Sequence, residues 1–444
     1  MMFGLDTLVT LDNGRKSPAI NFDNAATTPP FKMVINEIQE QLRCYGSIGR
    51  GKGQKSEHST AVYTDGRDII KTFVGANSDL YTVFYVNNTT DGINKLASAL
   101  IESPDEIILT SRMEHHANDL PWRERAATVY AEVDEKGRLI PDDVARILSE
   151  YNGAVKYVAI TAAANVTGYV NDVHYIAKLA HYYGAKIIVD GAQIVAHRKF
   201  RMLGDTPEEN IDFFVFSAHK MYSPFGGGAV VGLTEVLNEH IPQFYGGGMV
   251  ESVCDYIVHY LHAPDLYEAG SPNYPGVVGM LKAIEILTSI GFDYIKEHEQ
   301  RLLRKTIDGL KRIPGVILYG DNVYIADRVG IVVFNIRGIK PLELASYLAG
   351  YWGIAVRHAA FCAHPYVRRL TGVPETPSCD SPEGMVRVSF GIYNNEADVD
   401  YLLKAVSELV GGEESHNQIK DMARFKNEAV LLKYKFYHLP RDRG

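Results

Sequence analysis

Short apolar runs recur along the chain and stop abruptly at small or polar residues: Phe84-Tyr85-Val86, Ile107-Ile108-Leu109, Tyr157-Val158-Ala159-Ile160, Ala185-Lys186-Ile187-Ile188-Val189 and Phe213-Phe214-Val215-Phe216. Runs of this length without alternation fit strands buried on both faces. Between them lie segments with helical spacing, such as 31–44 with Val34, Ile38 and Leu42, and 172–183. Alternating strands and helices predict an α/β fold with a mainly parallel sheet flanked by helices. Helical patterning at 277–290 and 292–312 then leads to fresh strands near Val316 and at 329–334, which mark a smaller C-terminal α/β domain. The expected organisation is an N-terminal arm (1–19), a large domain (20–285), a small domain (286–412) and an extension (413–444). The extension is helical in part, from Phe425 to Tyr437; it reads as a packed or interface helix and is assigned no function.

Composition narrows the function classes. With 444 residues and 46% hydrophobic content, the chain can bury two cores. A net charge of −9 disfavours a nucleic-acid partner, whose phosphates call for a basic surface. No apolar run reaches membrane-spanning length, and Met1-Met2-Phe3-Gly4-Leu5-Asp6 carries an acid where a signal peptide carries basic residues. A soluble, cytoplasmic protein with no membrane partner is expected. Cys44, Cys254, Cys362 and Cys379 form neither a C-x-x-C pair nor a zinc spacing, which suits a reducing compartment.

The chemistry centres on Ser217-Ala218-His219-Lys220-Met221-Tyr222-Ser223-Pro224-Phe225-Gly226-Gly227-Gly228, where a buried strand ends in a lysine and a glycine turn. Such a lysine is either a surface residue or one with a chemical use, and imine formation with an aldehyde cofactor is common. Upstream, another strand ends at Asp190, and a carboxylate there suits the pyridine nitrogen of pyridoxal phosphate, which must stay protonated to act as an electron sink. Thr89 and Thr90 follow a strand and open a helix, so they read as N-caps or as an anion site. His115 and His116 are adjacent, do not share a helix face and lack a third ligand, so no metal is expected. The glycine-rich stretch 46–53 lacks the preceding strand and the G-K-[ST] ending of a P-loop. It reads as an active-site or interface loop.

Seven collinear motifs, spread over roughly residues 20–410, carry a family resemblance: Phe22-Asp23-Asn24-Ala25-Ala26-Thr27-Thr28, Asn88-Thr89-Thr90-Asp91-Gly92-Ile93-Asn94, Glu114-His115-His116-Ala117-Asn118, Val189-Asp190-Gly191-Ala192-Gln193, Ser217-Ala218-His219-Lys220, Glu268-Ala269-Gly270-Ser271-Pro272-Asn273 and Arg387-Val388-Ser389. The chain resembles fold-type I pyridoxal phosphate enzymes of the class V aminotransferase group, in the cysteine desulfurase and selenocysteine lyase branch. The resemblance implies a large domain with a seven-stranded-type sheet, a homodimer, and pyridoxal 5'-phosphate bound as an imine to Lys220. It further implies that Thr89, Thr90, Ser217 and His219 hold the phosphate, with Ser271 reaching across the dimer. His115 would stack on the pyridine ring and help move protons, whereas His116 is given only a structural place. Gln193 would bond the phenolic oxygen, and Asn165 would lie near it. Ala26, Asn165, Arg357 and Arg387 would line the substrate, and Arg387 would clamp its carboxylate in a bidentate pair.

Cys362 aligns with the cysteine that takes sulfur from the substrate in desulfurases. Where many relatives have R-x-G-x-x-C-A, this chain reads Arg357-His358-Ala359-Ala360-Phe361-Cys362-Ala363. The usual glycine is Ala359 and the usual preceding histidine is Phe361, so a polar neighbour of the thiol is lost; Cys362 as a packing residue is the other reading. The Pro-rich stretch 371–382 reads as a lid or an acceptor-docking loop, with Cys379 as a second sulfur relay. The implied reaction converts L-cysteine to alanine through a persulfide on Cys362, which a sulfur-acceptor protein would discharge. A C–S β-lyase, another class V reaction (elimination, cyclisation, epimerisation or transamination), and a non-catalytic scaffold or sulfur-carrier partner remain open alternatives.

Overall fold

The computed structural model describes residues 2–49, 51–76, 79–242, 244–376 and 380–411. Cys379 and the 413–444 extension therefore lie outside the described residues, as do Arg50 in the glycine-rich stretch and Pro377 and Ser378 in the Pro-rich one.

Seven strands make the central sheet: β1 (Tyr81–Val86), β2 (Ile107–Ser111), β3 (Ala127–Ala131), β4 (Val155–Thr161), β5 (Lys186–Asp190), β6 (Phe213–Ser217) and β7 (Gly228–Leu233). Their order is β1-β7-β6-β5-β4-β2-β3, and only β7 runs antiparallel to its neighbours. The continuous apolar run of β6 follows from its place in the middle. Phe213 and Val215 enter one core with Phe84, Ile188 and Val230, while Phe214 and Phe216 enter the core on the opposite face with Val189 and Ala229. A strand covered on both sides has no position where a polar residue meets water.

A second sheet holds β8 (Val316–Leu318), β9 (Ile331–Ile336), β10 (Arg357–Ala359) and β11 (Met385–Ser389), ordered β8-β9-β11-β10 and antiparallel throughout. Its core is separate and is built with the helices Phe292–Leu310, Pro341–Trp352 and Glu396–Gly411. The boundary expected at 285/286 falls inside the helix Tyr274–Ile290, and the chain first breaks at Gly291, whose φ of 89° favours glycine.

Residues 2–19, within the expected N-terminal arm, carry a hairpin. Leu8–Thr10 and Lys16–Pro18 form a hairpin, and the chain docks on the small domain through Asp12 N–H donating to Gly350 O (2.9 Å) and Ile20 N–H to Gly353 O (3.0 Å). Strands of three residues are too short for alternation to register as a signal.

Buried polar contacts fix the two sheets relative to each other. Arg328, 1% exposed, donates Nε to Thr167 O, Nη1 to Asp321 O and Nη2 to Ile331 O. Glu299 on the small domain's first helix accepts from Arg198 Nη1 and pairs with His197 Nδ1. Side chains from β10 and β11 are thereby held above the C-terminal ends of the parallel strands, where ligands of open α/β sheets bind.

Candidate active site

A cavity of about 430 Å³ opens at the ends of β4, β5 and β6. It is lined by Ala26, Thr89, Thr90, His115, Asn165, Asp190, Gln193, Ser217, His219, Lys220, Arg357, Cys362 and Arg387 among others. Of the site residues expected from sequence, only Ser271 lies elsewhere: it is exposed and lines a smaller neighbouring cavity with Tyr63, Tyr85 and Glu268. No described residue of the glycine-rich stretch 46–53 lines the main cavity.

The phosphate end is built by a helix start. Asn88 caps the helix Thr89–Leu100 by accepting from Asp91 N–H (2.9 Å), which leaves the first turn facing the cavity. Gly92 lets this helix lie directly on the sheet, since a Cβ there would meet Val215 Cγ1 at 2.6 Å. Ser217 Oγ accepts from Thr89 N–H (2.7 Å) and lies 2.8 Å from Thr89 Oγ1. His219 Nδ1 is buried beside them without a partner. Helix-terminal N–H groups, hydroxyls and a donor-capable imidazole are the donor set a phosphate requires.

Lys220 closes a short turn after β6, and the 25–28 loop supports it. The His219 carbonyl accepts from Thr28 N–H (3.0 Å) and from Thr27 Oγ1 (3.1 Å), and Thr28 Oγ1 accepts from Tyr222 N–H (2.7 Å). Burial lowers the Lys220 pKa, and the Asp190 carboxylate partly offsets that shift. Burial raises the pKa of Asp190, opposed by a bond from Ala192 N–H (2.9 Å) and by Lys220. Gln193 donates Nε2 to Ala25 O (2.8 Å), leaving its Oε1 buried without a partner.

His115 is pushed down to about 3 by burial, then by Lys220, His116 and Arg387. Its Nδ1 accepts from Ala117 N–H (3.0 Å), so the proton of the neutral ring sits on Nε2. His219 is lowered to about 4, by burial first and then by Lys220.

Arg387 is buried, and its guanidinium is partly committed. Nη1 donates to Asn165 O (2.8 Å), Nη2 to Asp23 Oδ1 (3.2 Å), and the Phe361 ring centroid is 4.9 Å from its central carbon. Only Nε is buried and unpartnered. Two of its five N–H donors are thus spent on protein acceptors, and those that remain are available to a carboxylate. Burial lowers Arg387 to about 10, against the pull of Asp23.

Cys362 is exposed and lies on a strained loop. Ala359, Phe361 and Cys362 have φ of 85°, 52° and 55°, a region that costs a residue with a Cβ roughly 1–2 kcal/mol. Gly384 faces this loop, and a Cβ there would collide with the Ala359 backbone at 2.2 Å. Two anchors hold the loop: Asn165 Nδ2 donates to Phe361 O (2.8 Å) and His116 N–H donates to Cys362 O (2.7 Å). His364 N–H also donates to His116 Nε2 (3.3 Å), and the two rings stack edge-on at 4.8 Å. His116 is thus the residue that ties the cysteine loop to the large domain. Asn165 spends its amide on that loop, leaving Oδ1 as the buried, unpartnered atom.

Sequence reasoning gave no role to Glu114 or Asp23. Glu114 is buried and accepts from Ser111 Oγ (2.6 Å) and Asn118 Nδ2 (2.7 Å), while Asn118 Oδ1 accepts from Trp122 Nε1 (3.2 Å). The four-residue steps from Glu114 to Asn118 to Trp122 were the available signal.

The chain belongs to the class V aminotransferase family, whose model matches residues 20–402. It is 34% identical to a probable cysteine desulfurase of Halalkalibacterium halodurans, over 88% of this chain and 93% of that one. A probable cysteine desulfurase of Mycolicibacterium paratuberculosis is 35% identical over 90% of this chain, which spans 56% of that longer relative. Among solved structures, the apo cysteine desulfurase of Thermococcus onnurineus NA1 superposes with a TM-score of 0.80 at 29% identity, covering 88% of this chain and 94% of that one. Enzymes of this family depend on pyridoxal phosphate. The residues present fit that group: the buried, unpartnered His219 Nδ1, Gln193 Oε1, Asn165 Oδ1 and Arg387 Nε belong to residues that line one cavity, together with Lys220 and Asp190.

Proposed function

We propose that this protein is a cysteine desulfurase that takes sulfur from L-cysteine onto Cys362 and releases L-alanine. The observation that carries the reading is the convergence of Lys220, Asp190, Arg387 and Cys362 on one cavity of about 430 Å³. Thr89, Thr90, Ser217 and His219 would hold the phosphate of pyridoxal phosphate, Asp190 its ring nitrogen and Lys220 its aldehyde carbon. Bound there, the cofactor supplies an electron sink for the amino acid's α-carbon.

The chain's own groups do the rest. Arg387 takes the substrate carboxylate with its remaining N–H donors and so orients the thiol side chain. Lys220 Nζ, biased toward the neutral amine by burial, accepts the α-proton. Cys362 Sγ attacks the substrate sulfur: an S–S bond forms, the C–S bond breaks, and the electron pair left on carbon takes a proton to give alanine. The persulfide passes its outer sulfur to an acceptor thiol. In this reading the assembly is a homodimer in which Ser271 completes the partner subunit's phosphate site.

Product analysis of the purified protein with L-cysteine and a reducing thiol tests the proposal. Sulfide and alanine in equal amounts are expected. Sulfide with pyruvate would make the protein a C–S lyase instead, and a cofactor-loaded protein yielding no sulfide would sink the L-cysteine assignment.

A further inference from the structure

Arg357 and Arg387 are direct cross-strand partners on β10 and β11. Like charges in that position repel. Asp23 lies between them, with Oδ1 3.2 Å from Arg387 Nη2 and Oδ2 3.6 Å from Arg357 Nη1. The three groups differ in freedom: Arg387 is buried at 3% side-chain exposure, Asp23 is at 21%, and Arg357 is at 52%. Both arginines line the cavity. The Asp23 backbone is held by Asn21 Oδ1 (3.0 Å) and by a bridge to Ser389, and its carboxylate accepts from Arg387 Nη2.

Two arginines and one carboxylate leave one net positive charge at the mouth of the site. Resting on the reading of this cavity as an amino-acid site, we propose that Asp23 is a specificity-determining residue, which limits the carboxylate clamp to one net charge and so disfavours amino acids with an acidic side chain. With Asp23 neutralised, the clamp would carry two positive charges and draw an amino acid with two carboxylates more strongly than one with a single carboxylate. At separations of several ångströms in a partly solvated site, one unit charge changes such a ratio by roughly tenfold.

The test compares L-alanine with L-aspartate, read as the ligand-induced rise in melting temperature of the purified protein. Because this is a binding measurement, it works with or without cofactor: loss of cofactor binding would count against the proposed function, while the charge selectivity would still be read. Asp23→Asn should tighten both ligands and shift their affinity ratio roughly tenfold toward L-aspartate. Asp23→Glu should keep the wild-type preference. If Asp23→Asn does not fold, the exposed Arg357→Gln serves in its place, and should move the ratio toward L-alanine. An unchanged ratio in the variant measured, or a shift in the opposite sense, would overturn the proposal.

Discussion

Lys220 and Asp190 relieve each other's burial. Burial lowers the pKa of the amine and raises that of the carboxylate, and each group's charge opposes the shift of the other. The amine is therefore biased toward its free-base form, the condition for a lysine that must react with an aldehyde and then move a proton. Lys220→Ala should abolish borohydride-fixable attachment of pyridoxal phosphate and lower turnover by roughly 10²–10⁴-fold, the usual worth of a general base. A Lys220→Ala protein that keeps its activity would remove Lys220 from the chemistry.

Cys362 separates two reactions that share every other residue of the site. Attack on the substrate sulfur needs its thiol, whereas elimination of sulfide does not. Cys362→Ala should lose alanine and sulfide formation to background while keeping the cofactor's absorbance and its response to L-cysteine. Persistent sulfide accompanied by pyruvate in this variant would assign the protein to the lyases.

Arg328 carries the junction between the sheets. Its three donors satisfy three carbonyls in a place water does not reach. Arg328→Met fills the volume but strands those acceptors. The expected cost is about 3–5 kcal/mol, seen as a fall of several degrees in melting temperature. Since β10 and β11 hang on this junction, the Michaelis constant for L-cysteine should rise as well. An unchanged melting temperature would show that the junction rests on apolar packing alone.

What the sequence revealed depended on how local each signal is. Asp190 ends a buried strand and Lys220 closes the turn just after another, and a charge at or just past a buried strand is visible within a few residues. Asp23 and Arg387 are 364 positions apart, and Asn165 and Phe361 are 196 apart. Motifs can put such residues at one site, but no spacing rule tells which atom spends which hydrogen bond, and so the bonds of Arg387 to Asn165 and Asp23 were invisible. The loss of a histidine at Phe361 suggested a weakened cysteine environment. In the folded chain, Phe361 lies against Arg387, and one imidazole reaches the cysteine segment from elsewhere, His116 Nε2 accepting from His364 N–H. The N-terminal hairpin escaped notice because its strands are too short to show a period.

Glu114 and His115 are neighbours with opposite pH signatures. Burial raises Glu114 from 4.5 to about 8, and burial lowers His115 from 6.5 to about 3. For His115 the unfolded chain binds more protons between pH 3 and 6.5, so its contribution to stability is complete above 6.5 and is lost as pH falls toward 3. For Glu114 the folded chain binds more protons between pH 4.5 and 8, so its contribution is complete below 4.5 and is lost as pH rises through 8. Between pH 4.5 and 6.5 the two slopes oppose each other, and from 6.5 to 8 only the Glu114 loss remains. Glu114→Gln cannot ionise. Its melting temperature minus that of the wild type should therefore grow steadily from pH 4.5 to 8 and level off beyond, whatever other groups titrate in both proteins. A flat difference across that range would mean that Glu114 is already ionised in the folded protein, held so by Ser111 and Asn118.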